Sequence, residues 1–258
     1  MTTSVRRPLA GTLPYLLAAV VVVAVWQAVI VTARPSAAVL PTPWQTVLTL
    51  ETLIASGELF VHIGASLGRV MVAWVLAAVV AIPLGLWMGT RPRVERIVDP
   101  FVELFRPISP LAWIPMAILW FGIGESGKVF IILVATFFPI LLNTVTGVKG
   151  VDPVLVRAGR VLGCDSDARL FRHVMLPAAM PTILVGLRIA FGTGWAAIIA
   201  AELVAANKGL GYLISNGMEV LRSDLVLAGM IVIAVLGLLI DTLFRMAGRF
   251  LAPSGDNP

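Results

Sequence analysis

The stretch FVELFRPISPLAWIPMAILWF, residues 101 to 121, decides how this chain is folded. Its length matches the ~20 apolar residues needed to cross a bilayer. It also carries Glu103, Arg106 and three prolines, so hydropathy alone leaves it open between a broken spanning helix and a re-entrant segment. Five clearer apolar runs surround it, at about 13 to 32, 66 to 89, 129 to 148, 182 to 204 and 225 to 244. Charge placement settles the count. With 101 to 121 taken as a span and the N-terminus inside, the Lys and Arg residues outside the spans divide into twelve cytoplasmic and four external. Without it the division is nine against eight. The excess of cations on cytoplasmic loops therefore favours six spans, with both ends in the cytoplasm.

Composition points the same way. Of 258 residues 59% are hydrophobic and 13% charged, with a mean hydropathy of +0.98, the balance of a polytopic membrane protein. No soluble catalytic domain can be cut from such a chain. The net charge of +5 sits in short clusters between apolar runs, where it serves orientation rather than nucleic-acid binding. A single cysteine, Cys164, allows no intrachain disulfide and reads as a small inert residue. Arg6 and Arg7 ahead of an apolar run resemble a signal peptide, but the run is long enough to span and more spans follow, so an uncleaved first helix is expected. The layout is then a cytoplasmic tail (1–12), a six-span membrane body (13–248) and a second cytoplasmic tail (249–258). The loop from about 33 to 60 is the one sizeable external segment before the last two spans.

Two short motifs suggest chemistry and do not hold. FGIGESGKVF (121–130) contains G-x-x-x-x-G-K, but Val129 stands where a Mg²⁺-binding hydroxyl belongs, and an apolar membrane run follows in place of a strand-to-helix unit. It reads as a tight Gly-rich turn between two membrane helices. GASLG (64–68) matches G-x-S-x-G with His62 one turn before Ser66. A nucleophile elbow needs a strand-to-helix turn, whereas this lies at the start of an apolar helix, and His173 falls on the other side of the membrane. An intramembrane serine hydrolase is thus disfavoured, and a stand-alone secondary transporter or channel is the stronger rival reading.

The longest cytoplasmic loop, VDPVLVRAGRVLGCDSDARLFRHVMLPAAMP (151–181), reads as two short helices. In the first, Val154, Leu155, Ala158, Val161 and Leu162 form an apolar stripe with Arg157 and Arg160 off it, and Gly163 can end the helix with positive φ. Asp165 or Ser166 can cap the second, and Asp167 suits its N-terminal dipole. Leu170, Phe171 and Val174 make its apolar face, and Pro177 is expected to end it. Periodicity leaves two uses open, docking into a partner's groove or lying on the membrane surface.

The spacing Arg157-Ala158-Gly159, Gly163, Val174 and Leu176-Pro177 resembles the EAA loop of bacterial ATP-binding-cassette import permeases. LPTPWQTV (40–47), RPISPLAWIPMAILWFGIGES (106–126), FFPILLNTVTGV (137–148), LPAAMPTILVGLRIAFGTGWAAIIAAEL (176–203) and GLGYLI (209–214) look like the nitrate, taurine, alkanesulfonate and bicarbonate group of these permeases. The chain departs from the pattern at Arg157 and Gly159, where the family loop carries Glu and Ala. The resemblance implies an all-α integral membrane protein of the type I importer permease fold, with six transmembrane helices and a cytoplasmic coupling-helix loop at 149–181. It implies a homodimer in the bacterial inner membrane, served by two ATPase subunits and an external binding protein that delivers a small solute, with a small anion as the leading expectation. Arg157, Ala158, Gly159, Arg160, Gly163, Leu176 and Pro177 would form the ATPase-coupling region. No catalytic or metal-ligating residue and no cofactor of its own are implied, ATP and Mg²⁺ belonging to the partner ATPases.

Polar residues inside spans are costly against lipid and so are candidates for the translocation path. Asn143, Arg188 and Glu202 stand out. Arg69 and Arg106 lie near span ends and are expected to be structural. Gly186, Gly192 and Gly194 are expected to allow close helix packing, the latter two also loosening the fifth span.

Overall fold

The computed structural model describes residues 13–36 and 38–251, so the expected tails at 1–12 and beyond 251 lie outside the described residues. Every regular element among them is helical. The chain divides into two units, one comprising residues up to 59 with 213–231, the other 60–212 with the residues from 232 onward.

In the first unit, α1 (Leu13–Ala33) is a 21-residue apolar helix, about 31 Å long at 1.5 Å per residue. The loop that follows is not bare. It contains α2 (Pro43–Ala55), which starts at a capping box where Thr42 Oγ1 accepts from the Gln45 amide and the Gln45 side chain accepts from the Thr42 amide. Trp26 Nε1 donates to the Pro41 carbonyl at 3.1 Å. Thr49 donates to Asp224, and Arg222 pairs with the same carboxylate, each at 2.6 Å.

The second unit is built on α3 (Glu58–Thr90), α6 (Glu125–Lys149) and α9 (Leu176–Ala205), with α4 (Pro92–Phe105) and α5 (Ile114–Phe121) between the first two. The three long helices approach closely because small residues meet at their crossings, the usual device where lipid supplies no hydrophobic drive between helices. A Cβ at Gly85 would stand 2.7 Å from Thr144 Cβ, one at Gly89 2.7 Å from Val148 Cβ, and one at Gly186 2.5 Å from Asn143 Cβ. Ala77, Ala81, Met88, Val102, Ile140, Leu141 and Ala190 fill the core between them. Gly186 and Gly194 pack as expected. Gly192 does not, since a Cβ there meets nothing within 4 Å, and α9 runs unbroken past both glycines.

The run at 101–121 is two arms, not one straight helix. The arm Pro92–Phe105 meets the arm Pro110–Phe121 at 80°, the latter made of a 3₁₀ turn (Pro110–Trp113) and α5. It nevertheless carries the chain across. Gly85 and Gly89, near the end of α3, lie against Thr144 and Val148 near the end of α6, while Arg69, early in α3, bonds Glu125 at the start of α6. The two helices run parallel, so residues 91–124 must return the chain through the full depth of the bundle. The bent pair is a broken span rather than a re-entrant loop.

Two expectations are corrected in the helices themselves. Helix α3 begins at Glu58, eight residues before the apolar run, because Glu58 and His62 lower the hydropathy of a segment that is still helical. Pro177 ends nothing. Helix α8 (Asp167–Leu170) passes through a π turn (Phe171–Met175) directly into α9. The Leu176 amide bonds back to Phe171 in the wider register, and a π turn at this place relieves the carbonyl that a proline ring would otherwise strike.

Candidate coupling helix and membrane cavity

Helix α7 (Pro153–Val161) is made by local chemistry. Asp152 Oδ1 accepts from the Val154 amide at 2.7 Å, and Pro153 sits in the first turn. Gly163 follows with φ +96°, and Ser166 Oγ then caps α8 through the Arg169 amide at 3.2 Å. Gly159 is the buried face of α7. A Cβ there would stand 2.8 Å from Val174 Cγ2 and 3.1 Å from Leu170 Cδ1, so the glycine lets α7 lie directly on the π turn. Leu176 packs with Val151, Val156 and Ile183 at the foot of α9. The opposite face of α7 is bare: Val154, Leu155, Val161 and Leu162 are exposed, the last two at 87% and 85%. Arg157, Ala158 and Arg160 are exposed beside them. Arg157 has no ion pair among the described residues.

At the far end of the unit, a buried polar cluster ties α3 to the end of α9. The Glu202 carboxylate is fully buried and accepts from Arg69 Nη1 at 2.6 Å, from Ser66 Oγ at 2.8 and 2.9 Å, and from the Gly211 amide at 2.9 Å. Arg69 also pairs with Glu125 at 2.5 Å and donates to the Lys208 carbonyl at 2.7 Å. His62 Nδ1 accepts from the Gly209 amide and Ser66 Oγ from the Leu210 amide. The residues of the apparent hydrolase motif are therefore anchors for the turn after α9. Gly209 has φ +129°, and a Cβ there would overlap the Glu202 carboxylate. In the apparent phosphate loop, α6 starts at Glu125, so Gly127 and Lys128 are helical rather than part of the turn, and Lys128 Nζ pairs with Glu125 at 3.2 Å.

Between α6, α9 and the bent pair lies a cavity of about 570 Å³. Its polar lining is Arg106, Ser109, Asn143 and Thr193, and no carboxylate lines it. Pro139 has no amide to offer the Ala135 carbonyl, and Thr193 Oγ1 takes that acceptor at 3.1 Å. Asn143 Nδ2 donates to the Pro139 carbonyl at 2.8 Å. The three residues expected on the path thus separate. Asn143 lines this cavity, Glu202 lies in the far cluster, and Arg188 pairs at 2.6 Å with Asp241 of the last helix (Ser223–Leu251). Arg106, expected to be structural, is instead on the cavity wall. Spacing held no signal for it beyond a cation amid three prolines.

The profile of the family described as the inner membrane component of binding-protein-dependent transport systems matches residues 81–253. The taurine transport system permease protein TauC of Escherichia coli is 41% identical over 238 residues, covering 90% of this chain and 86% of that one. The aliphatic sulfonates transport permease protein SsuC of Bacillus subtilis is 38% identical, covering 93% and 87%. The bicarbonate transport system permease protein CmpB of Synechocystis is 35% identical, covering 73% and 68%. In fold the chain is similar to a chain of the inward-facing methionine transporter MetNI, with a TM-score of 0.67 at 20% identity over 77% of this chain and 98% of that one. The chain belongs to the family of binding-protein-dependent transport system inner membrane components, as a permease subunit of an ATP-binding-cassette importer.

Proposed function

We propose that two copies of this chain form the path for a small anion of the sulfonate class, delivered by an external binding protein and driven by ATP hydrolysis on two partner ATPases. The chain itself binds neither ATP nor Mg²⁺. The observation that carries the reading is α7: a short helix, fixed at both ends and seated on the foot of α9, with its apolar residues turned outward and unpartnered. An exposed stripe of this kind beside cations suits a groove on a partner, and its seat on the π turn lets a rigid-body shift of that partner reach α9. The sulfonate class is supported by the relatives named for taurine and aliphatic sulfonates. The orientation follows the cation excess, with α7 and both ends in the cytoplasm.

The test is reconstitution of the permease, its ATPase and its binding protein in proteoliposomes, with uptake measured for taurine, ethanesulfonate, nitrate and bicarbonate. Uptake that needs ATP, the ATPase and the binding protein together is expected for at least one of them. Uptake by the chain alone would favour the rival reading of a self-sufficient transporter.

A further inference from the structure

We infer that the 570 Å³ cavity beside the bent pair is a station on the path where the transported anion is held, with Arg106 as its charge-bearing residue. The inference rests on the import function proposed above. Its first support is depth. The cavity touches α6 from Val134 to Asn143 and α9 from Ile189 to Ala197, the middle portions of helices that run from 125 to 149 and from 176 to 205. Non-helical backbone at that depth is tolerated only where protein buries it or where it lines a cavity, and the break between α4 and α5 lies on this wall through Arg106, Ile108 and Ser109.

The second support is charge. Each of the other intramembrane arginines is neutralised, Arg69 by Glu125 and Glu202 and Arg188 by Asp241. Arg106 has no ion pair among the described residues and no carboxylate shares its cavity. An unpaired cation at mid-depth is expensive and marks a functional position by default. The third support is donor chemistry. Besides the guanidinium, the cavity offers the Ser109 hydroxyl, whose oxygen accepts from the Leu111 amide at 3.3 Å and whose proton remains free to donate. It also offers the Asn143 amide proton not used on Pro139. Ile108, Leu111, Phe138 and Ile189 make the rest largely apolar. A planar guanidinium with two neutral donors in an apolar chamber suits an oxyanion carrying a short apolar group.

The experiment uses the whole importer in proteoliposomes with whichever of taurine, ethanesulfonate, nitrate or bicarbonate the wild type accumulates. Arg106→Gln is expected to lower uptake by roughly 10- to 100-fold, the loss of a charge-assisted bond, with the ATPase still co-purifying, while Arg106→Lys, which keeps the charge but not the planar fork, falls between that variant and the wild type. In a Cys164→Ala background, Arg106→Cys is expected to be inactive, restored by a thiosulfonate reagent carrying an ammonium group and not by one carrying a sulfonate. Wild-type uptake by Arg106→Gln, rescue by either reagent alike, or loss of the co-purifying ATPase would overturn the site while leaving the import function standing. A wild-type complex that accumulates none of the four anions would sink the substrate class and the site together.

Discussion

At the scale of single residues, Arg157 and Glu202 make opposite predictions. Arg157 is exposed on α7, and if α7 docks as proposed, a cation standing where the family pattern has a carboxylate should face a partner groove that is less basic there, or acidic. Arg157→Glu is expected to insert normally and to lose ATPase co-purification or substrate-stimulated hydrolysis, since like charges at a docked contact cost several kcal/mol. An acidic-to-basic change on the ATPase should recover part of the function, as a non-additive term in a double-mutant cycle. Transport at the wild-type rate would make Arg157 a solvated bystander. Glu202 had the marks of a path residue in the sequence, a lone carboxylate in an apolar run, but the structure gives it three donors, Arg69, Ser66 and the Gly211 amide, and no place on the cavity wall. Breaking a buried pair costs about 3–5 kcal/mol, so Glu202→Ala should lower the melting temperature in detergent clearly. A variant with normal stability and altered substrate preference would return Glu202 to the path.

At the scale of elements, local rules reached furthest in the loop at 151–181. Pro153, Gly163 and Ser166 bound their helices as expected, because caps and positive-φ turns depend on neighbours a few residues away. Local rules failed at Pro177, because the preceding π turn absorbs the proline and no spacing in the sequence announces it. Gly159 becomes intelligible only here, as the face of α7 that meets Val174 and Leu170. Gly159→Ala is expected to shift α7 slightly and lower stability modestly, since its Cβ would stand 2.8 Å from a methyl of the stiff, β-branched Val174. Gly159→Leu should lift α7 off the π turn and uncouple hydrolysis from uptake, read as ATP hydrolysed per solute imported. Unchanged coupling in Gly159→Leu would show that α7 does not act through that seat.

At the scale of the whole molecule, orientation is open to a direct check. In a Cys164→Ala background, Ser126→Cys should react with an impermeant thiol reagent added to intact cells and Ser166→Cys should not, both serines being exposed. Reversed labelling would invert the topology. That the chain is a helical membrane protein was legible in the sequence alone, because lipid demands ~20 apolar residues for each pass. So was the family, through the ordered set of segments from Leu40 to Ile214. Which polar residues meet was not legible there and follows from how the helices cross. Arg69 finds Glu202 and Arg188 finds Asp241 across 133 and 53 positions of chain, and Arg106 comes to share a wall with Asn143 and Thr193 through the 80° break. Periodicity along one helix tells which face a side chain occupies, but the partner on that face is set by how helices cross, and crossings here are fixed by small residues meeting from distant parts of the chain.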